Sequence, residues 1–148
     1  MQEPARSTGS AQVIPGRSPG RADDFDYAAS MARPLPWTLE ETILAGWAAA
    51  RNEWRGVNMT SRVVQDLSQI LRGLPIHPIA SRPADFRSPG SVGRKINSLR
   101  SARPDYEGKG LRVTELEAAV TGRFLEDEAA MMAEARRILD RYGVPEAS

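Results

Sequence analysis

Behind the segment Thr38-Leu39-Glu40-Glu41, the apolar residues Ile43, Leu44, Trp47 and Trp54 recur at the spacing of one helix face, and Ala48 to Ala50 leave room for close packing. Thr38 and Glu41 stand at the spacing of a capping box, so a first helix is predicted to open at Thr38 and to end at Gly56. From Ser61 to Arg72, Val63, Val64, Leu67, Ile70 and Leu71 form a second stripe, stopped by Gly73 before Leu74-Pro75. Pro75, Pro78 and Pro83 then break all periodicity, which predicts an irregular loop to Arg87, long enough to be functional rather than a mere connection. A third helix opens at Ser88-Pro89, an N-cap followed by proline at the first helical position. On a helical wheel Val92, Ile96 and Leu99 fall within about 60° of one another and face the core. That leaves Arg94, Asn97, Ser98 and Ser101 on the outer side, flanked by Lys95 and Arg100, until Arg103-Pro104 ends the helix. Thr114 to Glu117 repeats the capping-box spacing before Leu116, Val120 and Phe124, with a break near Leu125 to Asp127. The last helix carries Met131, Met132, Ala135, Ile138, Leu139 and Tyr142 and ends at Gly143.

This pattern predicts a mainly α fold, a small bundle of four or five short helices around one core in residues 37–142. Residues 1–36 hold five Pro and three Gly with no apolar periodicity, too little buried surface to offset ordering entropy, so a disordered tail is predicted there. Residues 143–148 read as a short C-terminal tail. No apolar run reaches the length of about 18 residues that a membrane span needs, and no secretory leader is evident, so no membrane association and a cytoplasmic setting are expected.

Charge changes this picture more than composition does. The net charge of +1 conceals a strong polarity: residues 76–113 carry eight bases against three acids, and residues 114–148 carry four bases against eight acids. Residues 1–36 and 37–75 are each neutral. The basic loop–helix segment 82–112 is therefore the expected working surface, and such asymmetry points toward nucleic acid.

The chemistry available is limited. Cysteine is absent, which removes disulfides, thiolate nucleophiles and Cys-ligated metals. A single histidine, His77, lies between Ile76 and Pro78 and cannot alone build a His-rich metal site or, without a nucleophile elbow, a triad. Gly90 and Gly93 are not in phosphate-loop spacing. No catalysis, metal or cofactor is expected of this chain, the rival being an enzyme that uses His77 with a bound metal.

A helix face of Arg, Asn and Ser suits DNA. Ser88 and Ser91 with the N–H groups after Pro89 offer a phosphate seat; Arg94 and Asn97 have the donor geometry for guanine and adenine; Arg82, Arg87, Lys95, Arg100 and Arg103 supply phosphate contacts, with Ser98 on the same face. The bland alternative is a solvated face that also attracts the acidic last helices. The loop between the second and third helices is far too long for a helix-turn-helix.

The run from Asp85 to Leu99, DFRSPGSVGRKINSL, resembles the "FRNPNGV..KL.NF" signature in the helical N-terminal region of McrA-like, modification-dependent HNH restriction endonucleases. Phe86, Arg87, Pro89, Val92 and Lys95 match it, and Ile96 replaces its Leu; Ser88 and Gly90 stand where it has Asn, Ser91 where it has Gly, and Ser98-Leu99 where it has Asn-Phe. Weaker likeness extends back through Trp37 to Glu41 and Asp66 to Leu71, and forward through Gly108 to Leu111 into the last helices. The resemblance implies a module that recognises double-stranded DNA, plain or modified, and that normally precedes a nuclease domain. Cutting in that family belongs to a His-bearing HNH module, which has no counterpart in this sequence. The expectation is a non-catalytic DNA-recognition module; the alternative is a protein-interaction module whose basic face docks an acidic partner, such as a separately encoded HNH nuclease.

Overall fold

The computed structural model describes residues 35–108 and 111–145, so the expectation of a disordered tail at 1–36 falls almost wholly outside the described residues. The chain divides into two units. One comprises Met1–Leu35 with Arg82–Ala84, of which only Leu35 and Arg82–Ala84 are described. The other, Pro36–Ser81 with Asp85–Ser148, holds all the regular structure described below.

Among the described residues the fold is all helical: α1 (Leu39–Arg51), α2 (Arg62–Gly73), a 3-10 turn at Ile79–Ser81, α3 (Pro89–Ser101), α4 (Glu115–Glu126) and α5 (Glu128–Arg141). Helix α1 is central and touches each of the other four helices, which explains why Ile43, Leu44, Ala45, Ala48 and Ala49 are all buried. The core adds Val64, Leu67 and Leu71 from α2, Val92, Ile96 and Leu99 from α3, Val120 and Phe124 from α4, and Ile138 and Leu139 from α5. Small residues in α1 allow this crowding: Gly46 packs directly against the Phe124 ring.

The helix starts follow from their caps. Thr38 and Thr114 each head a complete capping box, in which the Thr oxygen accepts the backbone N–H of Glu41 or Glu117 and that glutamate accepts the Thr N–H in return. Ser88 accepts the Ser91 N–H at 3.3 Å ahead of Pro89. Asp127 ends α4 and caps α5 through the Ala130 N–H, which places the break where the sequence suggests it. At the far end of α5, Arg141 pairs with Glu40 and the Tyr142 hydroxyl donates to Glu40 at 2.6 Å. That hydrogen bond to a carboxylate pushes the Tyr142 phenol up from its ordinary range.

One boundary differs from the sequence expectation. Helix α1 stops at Arg51, with Asn52 as C-cap, five residues before Gly56. Glu53 and Trp54 follow in the left-handed region at φ 59° and 57°, where side chains other than glycine are strained. Trp54 therefore belongs to a loop rather than to the α1 stripe, although its ring still meets Phe124 edge-on at 5.8 Å.

Candidate nucleic-acid interface and the groove beside it

The basic segment does not present its cations uniformly. Two of them are taken inside by the capping-box glutamates. Arg87, only 3% exposed, donates from Nε to Glu41 Oε2 and from Nη2 to Glu41 Oε1, both at 2.9 Å. Its Nη2 also donates to the Pro36 carbonyl at 3.1 Å, and its own carbonyl accepts the Ser68 hydroxyl at 2.7 Å. Arg87 holds a left-handed backbone, φ 45°, a strain that this set of contacts maintains. His77 Nε2 lies 3.0 Å from Glu41 Oε1 and 3.2 Å from Arg87 Nη2, within hydrogen-bond distance of both partners of the ion pair. Burial by itself would raise the Glu41 carboxyl; the hydrogen bonds from Arg87, Thr38 N–H and His77, with the Arg87 charge, outweigh it and hold the group below the usual carboxylate range.

Lys95 repeats the arrangement on a smaller scale. Its ammonium pairs with Glu117, whose other oxygen accepts the Thr114 N–H. Both cations meet one ring: Arg87 Cζ lies 4.5 Å and Lys95 Nζ 5.1 Å from the Trp37 centroid.

These positions correct the sequence expectation for several residues. Arg87 is internal and cannot reach a duplex without breaking the Glu41 pair. Ser98 is 5% exposed rather than outward, because α3 packs against both α2 and α4 and so buries more than one stripe. Asn97 is half-buried and committed: its Nδ2 donates to the Val57 carbonyl at 2.9 Å and its Oδ1 accepts the Val57 N–H at 3.2 Å. Lys95 is neutralised by the acidic C-terminal third, as the bland reading of the charge polarity holds. Ser88 is spent as the α3 cap. Arg82 belongs to the other unit, and the expectation for it is neither met nor corrected by these positions.

Arg94 is exposed, with Gly90 exposed and Ser91 half-exposed one turn earlier. Toward the end of α3, Arg100 donates from Nε to the Trp54 carbonyl at 2.7 Å and lies over Tyr106, while Arg103 lies over Trp54 and pairs with Asp105. Arg103 thereby holds the Asp105 carboxyl below its ordinary range. These two arginines face a groove of about 510 Å³ that also takes in Glu53, Trp54, Asp105, Tyr106 and Glu107. Nothing in the sequence pattern signals this groove, because Glu53 and Trp54 read as part of the first helix and Tyr106 and Glu107 lie in a turn without periodicity.

The Asn97–Val57 pairing is a peptide-like pair of hydrogen bonds between α3 and the loop after α1. Asn97→Ala removes both hydrogen bonds and is expected to cost about 1–3 kcal/mol. Hydrogen exchange at the Val57 amide should accelerate more than at core amides of α1; equal protection in the variant would show that the clamp does not hold this loop.

The His77 ring also stands edge-on to Phe86 at 5.6 Å, so it is packed into the Arg87 network. No group of three or more His, Cys, Asp or Glu suited to a metal occurs among the described residues, and no helix there is long and apolar enough to cross a membrane. Compared with family models, curated proteins and solved structures, the chain matches none.

Proposed function

We propose that the chain is a non-catalytic module that binds double-stranded DNA through the solvent-exposed edge of α3. The observation that carries this reading is the segregation of the basic segment into internal and external cations. After Arg87 and Lys95 are consumed by Glu41 and Glu117, Arg94 remains exposed and has no carboxylate partner among the described residues. It stands on a helix face otherwise lined by Gly90 and Ser91, which a base edge or a phosphate can approach closely. Exposed Arg112 adds positive charge after the helix. The resemblance to the restriction-endonuclease signature supports the same direction and raises modified duplexes as candidates alongside plain ones.

A salt titration tests it. Arg94→Ala is expected to weaken duplex binding and to reduce the dependence of log K on log salt by roughly 0.9, the contribution of one phosphate contact. Helix content should not change, since Arg94 holds no internal partner. Binding and slope equal to the unmodified chain would remove Arg94 from the interface, and an absence of salt-dependent duplex binding would remove DNA as the partner.

The protein-interaction reading is favoured by one separate observation. The groove at the end of α3 carries carboxylates as well as guanidinium groups, a lining that a phosphate backbone does not complement.

A further inference from the structure

Where the Gly56–Asn58 loop meets the last turns of α3, a second hollow of about 510 Å³ opens, and no carboxylate among the described residues lines it. Arg100 and Tyr106 line both this recess and the charged groove. The recess's polar groups divide into committed and open ones. Asn97 is held on Val57, and the Ser101 hydroxyl donates to the Asn97 carbonyl at 2.9 Å and accepts the Leu111 N–H at 3.0 Å. Asn58 Oδ1 accepts the Thr60 N–H at 2.8 Å and the Thr60 hydroxyl at 2.6 Å, which fixes the amide and leaves Nδ2 as an open donor.

Arg100 supplies the charge. Its Nε is anchored to the Trp54 carbonyl at 2.7 Å and its Cζ lies 5.3 Å from the Tyr106 centroid, so the guanidinium is held in place. Its Nη atoms, like the Tyr106 hydroxyl, meet no partner among the described residues. Two glycines keep these ends uncovered: a Cβ at Gly56 would stand 3.3 Å from Arg100 Nη1, and one at Gly108 would stand 2.8 Å from the Tyr106 hydroxyl oxygen. What remains open is a set of donors around one positive charge, and its complement is an anionic acceptor. Asn58, Arg100 and Tyr106 come from three separate segments; a tetrahedral oxyanion offers each its own oxygen, whereas a planar carboxylate has only two to give. Ser101, on the same lining, follows Arg94 by seven residues, close to two turns or about 10 Å further along one stripe of α3.

We propose that this recess is a phosphate seat, with the Arg100 guanidinium as its main contact and the Tyr106 hydroxyl and the Asn58 amide as further donors. As a seat for a backbone phosphate of the duplex that Arg94 meets, it rests on the DNA reading of the α3 edge. A free phosphate offers the same chemistry without that reading.

The test uses the full chain labelled for NMR, with the Gly56 amide and the Arg100 Nε–H as reporters, and inorganic phosphate, acetate and chloride as probes at matched ionic strength. Phosphate is expected to shift both signals and to saturate, with acetate at least about threefold weaker and chloride giving no saturation. Arg100→Gln, read at Gly56, should abolish saturation. Tyr106→Phe keeps the ring under Arg100 and the Trp54 anchor, and should weaken phosphate at least about threefold through the lost hydroxyl alone. In a duplex salt titration Arg100→Gln should lower the slope by roughly 0.9, as Arg94→Ala does. Phosphate that acts no differently from acetate or chloride, or saturation that both variants leave unchanged, overturns the seat even where the Arg94 titration succeeds. Saturation by phosphate with no salt-dependent duplex binding upholds the seat and overturns the DNA reading. Saturation with a duplex slope that Arg100→Gln leaves unchanged upholds the seat and assigns it to free phosphate.

Discussion

Arg87→Leu is expected to destabilise the domain by about 3–5 kcal/mol, because it leaves the Glu41 carboxylate buried without its cation. Against a total stability of about 5–15 kcal/mol for a domain, that loss moves the urea midpoint far enough to measure directly. The variant also strips the Pro36 carbonyl of a donor and removes the cation from the Trp37 and Phe86 rings, so the entry segment, α1 and the start of α3 lose their common anchor. Arg87→Met together with Glu41→Gln should recover a large part of the loss, since removing both charges leaves no ion unpaired. A cost below about 1 kcal/mol for the single variant would show that the pair contributes little.

The same cluster gives the domain a specific acid sensitivity. The Glu41 carboxyl is held below its unfolded range, so its contribution is complete above that range and is lost as pH falls through the folded value. Unfolding measured below about pH 4 should therefore be steeper for the unmodified chain than for Glu41→Gln.

Gly46→Ala carries the second large effect. A methyl group at Gly46 would stand 2.9 Å from Phe124 Cζ and closer still to Cε2. Phe124 is 1% exposed and cannot swing out of the core. Alanine gains about 1 kcal/mol of helix propensity over glycine, but forcing the ring to shift in a close-packed core costs about 1–3 kcal/mol or more, and the clash is expected to win. Thermal unfolding should show a lowered midpoint; a raised midpoint would mean that the ring has room to move. Gly122, where a Cβ would meet nothing within 4 Å, is the matched control and should tolerate alanine.

The helices were legible in the sequence because their signals are local. The two capping boxes, the Ser88-Pro89 start and the Val92, Ile96, Leu99 stripe depend on spacing alone, and each element forms where the pattern places it. The end of α1 was not legible, since Trp54 continues the apolar spacing while the backbone has already turned left-handed. The surface was less legible still. Ser98 is polar and buried, and Asn97 is polar and committed to a backbone 40 residues away. Net charge treats Arg87, Lys95 and Arg94 alike, yet only Arg94 is exposed, because pairing across the fold decides which cations remain outside. The residues shared with the restriction-endonuclease signature, Phe86, Arg87, Pro89, Val92 and Lys95, are framework positions in this chain, buried, paired or, for Pro89, opening α3. The resemblance thus rests on the scaffold that presents the α3 edge rather than on the edge itself.

Each capping-box glutamate serves two masters, its own helix start and a cation from the basic segment. This double duty bears on how the sequence can drift over generations. A lone change at Glu41 or Arg87, or at Glu117 or Lys95, strands its partner, so viable descendants should alter these positions in pairs. Arg94, Glu53 and Glu107 have no such tie and are free to change one at a time. In a set of diverged copies of this chain, coupled substitution should therefore mark the framework and independent substitution the exposed surface.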